Sequence, residues 1–160
     1  LYDRVELMGG AVNVAKILDH TPNYLVLIII NAATNPENPM DSSSNSPSSA
    51  QVVAAVSGTQ IERFTLESLS LLEEAFQKWA TDLSTPEQPV IPFFIQLDFE
   101  SVANMRQRTF LNNMATSLSL PDDEVDVLIM AGRTLLHESP EYQKLLRTLE
   151  QNERKRQARL

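Results

Sequence analysis

Tyr24-Leu25-Val26-Leu27-Ile28-Ile29-Ile30-Asn31 contains the longest uninterrupted run of large apolar residues in the chain, from Leu25 to Ile30. It is short, rich in β-branched side chains and bounded by Pro22 and Pro36, which predicts a β-strand. Its apolar residues are consecutive and do not alternate with polar ones. Both faces of the strand therefore need a cover, as in the parallel sheet of an α/β protein.

A second strand is predicted for Val90-Ile91-Pro92-Phe93-Phe94-Ile95-Gln96-Leu97-Asp98, where Pro92 favours a strand start or an edge position. Sheets usually contain about four to six strands. Two strands are too few for a sheet that is covered on both faces. We therefore predict a mostly helical α/β chain with about two strands, whose partner strands lie upstream of Leu1.

Helical periodicity is clearest over residues 66–83, where Thr65 is the expected cap. The stripe predicted to face a core consists of Leu69, Leu72, Phe76, Trp79 and Leu83. A shorter helix, introduced by Ser46-Pro47, is expected to end near Gly58. An aromatic ligand site on Phe76 and Trp79 is the alternative to a core role for this stripe.

Two further helices are predicted in the last third of the chain. Pro121 precedes the first, whose expected buried stripe is Val125, Leu128, Ile129, Gly132, Leu135 and Leu136. We expect another backbone to approach closely at Gly132. Ser139-Pro140-Glu141 is the expected cap of the second, whose stripe is Tyr142, Leu145, Leu146 and Leu149.

The chain is predicted to form a single segment, 1–160, of a larger domain. Residues 33–50, rich in Ser, Asn and Pro, are predicted to form a flexible exposed loop. Residues 150–160 are predicted to form the frayed basic end of a helix, with attraction to an anionic membrane surface as the alternative reading.

Composition excludes several classes of function. The 160 residues contain 13 Lys plus Arg against 21 Asp plus Glu, a formal net charge of −8, so we predict no nucleic-acid partner. There is no cysteine, which excludes disulfides and thiolate metal sites. No apolar run reaches the roughly 18 residues that a membrane-spanning helix needs. Localisation cannot be predicted from the sequence.

No motif for catalysis or cofactor binding is found. Gly-x-Ser-x-Gly, the phosphate-binding Gly-x-x-x-x-Gly-Lys-Ser/Thr and the dinucleotide fingerprint Gly-x-Gly-x-x-Gly are all missing from the sequence. His20 and His137 lack a partner at metal-ligand spacing and are interpreted as structural residues at helix ends. We predict no catalytic, cofactor-binding or metal-binding residue and no cofactor.

Three groups of carboxylates are candidates for chemistry. Asp98 with Glu100, or Asp122 with Asp126, would act as acid and base only inside a pocket. The cluster Asp122-Asp123-Glu124 lacks the spacing of a calcium loop and suits the positive end of a helix dipole.

The order of several segments resembles the C-terminal part of bacterial patatin-like phospholipases. The segments are Leu25-Val26-Leu27-Ile28-Ile29-Ile30-Asn31-Ala32, Ile61-Glu62-Arg63-Phe64, Phe93-Phe94-Ile95-Gln96-Leu97-Asp98-Phe99, Arg108-Thr109-Phe110-Leu111-Asn112, Ala115-Thr116-Ser117-Leu118-Ser119-Leu120, Val125-Asp126-Val127-Leu128-Ile129-Met130-Ala131-Gly132-Arg133-Thr134-Leu135-Leu136 and Glu138-Ser139-Pro140-Glu141-Tyr142-Gln143. The resemblance covers about Tyr24 to Leu149.

The resemblance implies a three-layer α/β/α fold and a parent enzyme, a serine esterase of lipid degradation, that hydrolyses acyl esters of lipids with a serine–aspartate dyad. Neither dyad residue is present here, because the sequence has no Gly-x-Ser-x-Gly and no Asp-Gly-Gly or Asp-Gly-Ala. One alignment sets Met8-Gly9-Gly10 against Asp-Gly-Gly, which replaces the general base by methionine. In the better alignment the chain begins after the aspartate motif, Leu1–Val5 lies in the helix that follows it, and Gly9-Gly10 is a loop. The segment alone is therefore predicted to be inactive.

The partners implied by the resemblance are the remainder of the parent hydrolase domain and, through it, a lipid or membrane-surface substrate. The alternative from another class is a stand-alone, acidic, helical protein-interaction module without enzymatic activity. The apolar run at Leu25 favours the first, since a two-stranded module covers such a strand poorly.

Overall fold

The computed structural model describes residues 1–34, 48–114, 117 and 119–158, and over 49–62 it describes the backbone alone. The chain is mostly helical (63%) and contains a small parallel sheet of two strands. In chain order the elements are α1 (Tyr2–Leu7), α2 (Gly10–Ile17), β1 (Tyr24–Asn31), α3 (Ser49–Leu83), β2 (Ile91–Asp98), a 3₁₀ turn (Phe99–Ser101), α4 (Met105–Asn112), α5 (Asp122–Glu138) and α6 (Pro140–Gln157).

The sheet confirms both predicted strands. β1 has the predicted bounds, and β2 begins one residue later than expected. The two strands are hydrogen-bonded neighbours, and the backbone N–H of Ile91 donates to the carbonyl of Asn23 over 3.0 Å, just before β1 begins. Pro92, which has no N–H to donate, is the second residue of β2, close to the strand start that the sequence favours.

The described residues form two compact units. One contains residues 1–26 and 48–92, the other residues 27–34 and 93–158. The division falls within both strands, after Val26 in β1 and after Pro92 in β2.

The core of the first unit confirms the stripe predicted on α3. Phe76, Trp79 and Leu83 are buried, and Leu69 and Leu72 are half-buried. A cluster of buried side chains at the end of this helix, Ala80, Leu83 and Val90, is packed against Ala11, Ala15 and Leu25 of the elements that precede α3.

The predicted start of α3 at Thr65 is wrong. The helix is continuous over 35 residues from Ser49, so Gly58 and Thr65 lie in its interior. The sequence contains no proline between Pro47 and Pro86 that would break the helix, and one interior glycine costs only about 1 kcal/mol. The predicted cap at Ser46-Pro47 and most of the predicted loop 33–50 lie outside the described residues.

In the second unit the core is built on β2. The side chains of Phe93 and Ile95 are 1% and 0% exposed, and Leu97 is also buried. The helical contribution to this core is Leu111, Ala131, Leu135 and Leu145.

The predicted buried face of α5 is partly wrong. Leu135 is buried and Leu128 is half-buried, but Val125 and Ile129 are exposed. A Cβ atom built on Gly132 would meet no atom within 4 Å, so the predicted backbone approach is not found among the described residues. The covered face passes through Leu128, Ala131 and Leu135, which is a helical stripe rotated from the predicted one.

The ends of α1, α2 and α6 can be compared with the signals in the sequence. The Ser139 hydroxyl accepts a hydrogen bond from the Tyr142 N–H (3.4 Å), which confirms the predicted cap of α6. α1 agrees with the helix expected for Leu1–Val5. Of the loop predicted at Gly9-Gly10, Gly9 (φ 85°) is the N-cap of α2, whereas Gly10 (φ 84°) is already its first residue. α6 continues to Gln157, well beyond the last apolar position, Leu149.

Among the helices of the described residues, none combines the length and the apolar character needed to cross a membrane.

Candidate interaction surfaces

Asp98 and Glu100, considered as an acid–base pair, each serve local structure. Asp98 Oδ1 accepts from the backbone N–H (2.9 Å) and the hydroxyl (2.7 Å) of Ser101, which closes the 3₁₀ turn after β2. Glu100 Oε1 accepts from Asn112 Nδ2 (3.3 Å), and Glu100 Oε2 lies 3.9 Å from Arg108 Nη1. These contacts tie the turn to α4.

The other candidate carboxylates, Asp122 to Glu124 and Asp126, lie in or near the first turn of α5. Negative charge is stabilising there, because the N-terminal end of the helix dipole is positive. Asp122 and Asp126 are exposed. A search of the described part of the chain finds no group of three or more His, Asp or Glu residues able to hold a metal ion.

The two histidines lie at helix ends, as predicted. The backbone N–H of His20 donates to the carbonyl of Ala15 (3.1 Å), just past the end of α2. His137 is in the last turn of α5, and its ring meets the Tyr142 ring edge to face, with centroids 6.0 Å apart at 84°. Its carbonyl accepts from Gln143 Nε2 (2.8 Å). These contacts fit the structural interpretation of His137.

Trp79 is a core residue of the first unit. Its ring stacks on the Tyr2 ring of α1, with centroids 6.1 Å apart and an interplanar angle of 14°. The indole N–H donates to Glu6 Oε1 over 3.4 Å, and the side chain is only 6% exposed. The chain's own residues therefore occupy the place that an aromatic ligand on Trp79 would need.

A small cavity lies within the second unit, beside α4 and α5. Its volume is about 120 Å³, below the roughly 300–1,000 Å³ of drug-sized ligand pockets. Its lining is Val102, Ala103, Asn104, Gln107, Ala131, Thr134, Leu135 and Glu138. The side-chain oxygen of Asn104 already caps α4 by accepting from the Gln107 N–H (3.1 Å).

One face of β1 is apolar and exposed. Ile28 and Ile30, both in the second unit, are 43% and 71% exposed, whereas Leu27 and Ile29, which alternate with them, are half-buried. We call Ile28 and Ile30 the β1 outer strip. In the described chain β1 is thus covered on one face, whereas its sequence predicts a cover on both.

Parallel strands are rarely left with an apolar face in water, because the connections between them cover both faces of the sheet. The β1 outer strip is therefore the best candidate for a contact with polypeptide beyond the described residues. The alternation of exposed and half-buried residues is visible only in the structure, since the residues from Leu25 to Ile30 are all apolar.

Comparisons of the chain with protein-family models, with curated proteins and with solved structures gave no match.

Proposed function

We propose that this chain is the non-catalytic C-terminal portion of a patatin-like lipid acyl hydrolase. The observation on which the proposal depends is the β1 outer strip, an apolar strand face without a cover among the described residues. It supports a larger α/β domain that supplies more strands and a second helical layer. The resemblance of the ordered segments between Tyr24 and Leu149 supports the particular family.

In such a parent enzyme both catalytic residues would lie outside the present chain. A serine in Gly-x-Ser-x-Gly, outside this chain, would attack the ester carbonyl after transferring its proton to an aspartate that is also outside it. Backbone amides of a glycine-rich loop would stabilise the oxyanion. In this scheme the present chain contributes β1, β2 and the helices that bury Phe93 and Ile95, and so supports the sheet under the catalytic residues.

The experiment is to read the coding frame upstream of Leu1, express the whole polypeptide and treat it with a fluorophosphonate probe, which labels activated serines. The proposal expects Asp-Gly-Gly shortly before Leu1, Gly-x-Ser-x-Gly well before that, covalent labelling, and hydrolysis of a short-chain acyl ester. A complete frame with neither motif, and a polypeptide that is not labelled, would contradict it.

The second candidate is the acidic helical interaction module. The mostly helical content favours it, as do the separate helical contributions to the two cores. In this case the chain alone unfolds cooperatively as a monomer. Aggregation of the isolated chain, with dye binding to exposed apolar surface, is the result expected for a sheet that lacks its partners.

A further inference from the structure

α6 bears a row of cations on its exposed side. The row begins at Arg147 and continues seven positions later with Arg154 and its neighbour Lys155. At 3.6 residues per turn, these spacings place the three side chains within about a third of the helix circumference. We call these three residues the α6 basic row. All three are exposed, whereas the buried Leu145 lies on another side of the helix.

The charges of the α6 basic row are available to a partner. Within the described residues, none of the three cations lies within 4.0 Å of a carboxylate, although Lys144, one turn before Arg147, pairs with Glu141 (3.7 Å). The residue between them on the same face, Gln151, is neutral and exposed. Glu153 lies on another side of the helix. Glu150, one turn before Arg154, flanks the row, but it forms no ion pair within 4.0 Å with a cation of the row in the described structure.

We propose that the α6 basic row docks the protein on an anionic membrane surface. A row of long, flexible cations on a convex helix offers no apolar anchor and no pocket, whereas protein partners are usually held by a buried anchor residue. A bilayer that contains anionic lipids needs no such shape match, because its charge is spread over a plane. The assignment of a membrane as the partner depends on the proposed function, since the substrate of a lipid hydrolase is found in membranes.

The net charge of −8 does not oppose this contact as strongly as its size suggests. At physiological ionic strength charges beyond about 8 Å are largely screened, so the membrane responds mainly to the charges closest to it. The last two turns of α6 contain Arg154, Lys155 and Arg156 against a single acid, Glu153. Their positive charge also suits the negative end of the helix dipole.

The test is co-sedimentation of the intact protein with vesicles of phosphatidylcholine, with and without phosphatidylserine. We expect binding to the anionic vesicles alone, and weaker binding as the salt concentration rises. Arg154→Gln with Lys155→Gln is expected to weaken binding about 30-fold, because each cation near an anionic surface contributes roughly fivefold. Gln retains helix propensity, and circular dichroism checks that the fold is kept.

The matched control is Arg106→Gln with Arg133→Gln, which removes the same charge from exposed positions on α4 and α5. The proposal expects the control to bind like the unaltered protein. An equal loss in both variants would overturn it, as would binding to neutral vesicles. Binding to polyglutamate without binding to anionic vesicles would overturn it in favour of an acidic protein partner. Ester hydrolysis is measured separately, so failure of the proposed enzyme function is distinguishable from failure of the docking.

Discussion

The Tyr2 ring lies parallel to the Trp79 ring, with centroids 6.1 Å apart, and so joins α1 to the middle of the core of the first unit. Trp79 is the single tryptophan of the chain, so its fluorescence reports on the surroundings of this one side chain, which include the Tyr2 ring and Glu6. The pair shows that the first residues of the chain belong to the packing of α3.

The first prediction concerns this pair. Trp79→Ala is expected to lower the free energy of unfolding by about 3–5 kcal/mol, because it removes a large buried side chain. Tyr2→Ala should lower it by only about 0.5–1.5 kcal/mol, since Tyr2 is 48% exposed and contributes mainly the ring contact. Urea denaturation followed by circular dichroism measures both. A Tyr2→Ala variant that unfolds with the same free energy as the unaltered chain would contradict a stabilising contact between the two rings.

The second prediction separates a structural from a chemical role of Asp98. Because Asn accepts a capping hydrogen bond as well as Asp does, Asp98→Asn is expected to change neither stability nor the activity of the complete polypeptide. Asp98→Ala is expected to cost about 1 kcal/mol, as it removes the acceptor for Ser101. Thermal denaturation and ester hydrolysis are the measurements. A loss of hydrolysis in the Asn variant without a loss of stability would make Asp98 a participant in the chemistry.

The third prediction concerns Gly132. Because a Cβ atom at this helix position meets nothing within 4 Å, Gly132→Ala is expected to stabilise the isolated chain by about 0.5–1 kcal/mol. Chemical denaturation measures the change. Destabilisation of the isolated chain would mean that another backbone does approach this position, as the sequence first suggested.

The fourth prediction concerns pH. The hydrogen bond and the negative charge of Asp82 raise the pKa of Lys78 above its ordinary value of 10.5. The Lys78 ammonium therefore stabilises the fold below pH 10.5, and this contribution is lost as the pH rises through the raised pKa. Asp82→Asn should return the pKa of Lys78 toward 10.5, measured by titration of its Cε signal in NMR spectra. An unchanged titration would contradict the pairing.

Much of the fold follows from local sequence signals. Both strands were predictable because β-branched apolar runs bounded by proline have few alternatives. The α6 cap was predictable because Ser139 precedes Pro140. α4 was not predicted as a helix, although Asn104 with Gln107 three residues later is a usable capping signal.

The buried face of α5 and the exposed face of β1 depend on tertiary packing and could not be predicted from local sequence patterns. On α5 two adjacent stripes are apolar, and periodicity alone cannot choose between Val125 with Ile129 and Leu128 with Leu135. On β1 the positions from Leu25 to Ile30 are all apolar, so the exposed face is identified only by burial. The absence of a site prediction follows from the residues themselves, since none of the searched catalytic motifs is in the sequence.

The most direct test of the central claim is the free energy of unfolding of Ile28→Ala in the complete polypeptide. The control is Ile129→Ala, because Ile129 is also a half-exposed isoleucine in the described chain (48% against 43% for Ile28). If β1 is covered on its second face by the rest of a larger α/β domain, Ile28→Ala costs about 2–5 kcal/mol and exceeds the control. A cost below about 1 kcal/mol, the range of surface substitutions, would contradict the claim and leave β1 as the half-exposed strand of an independent helical module.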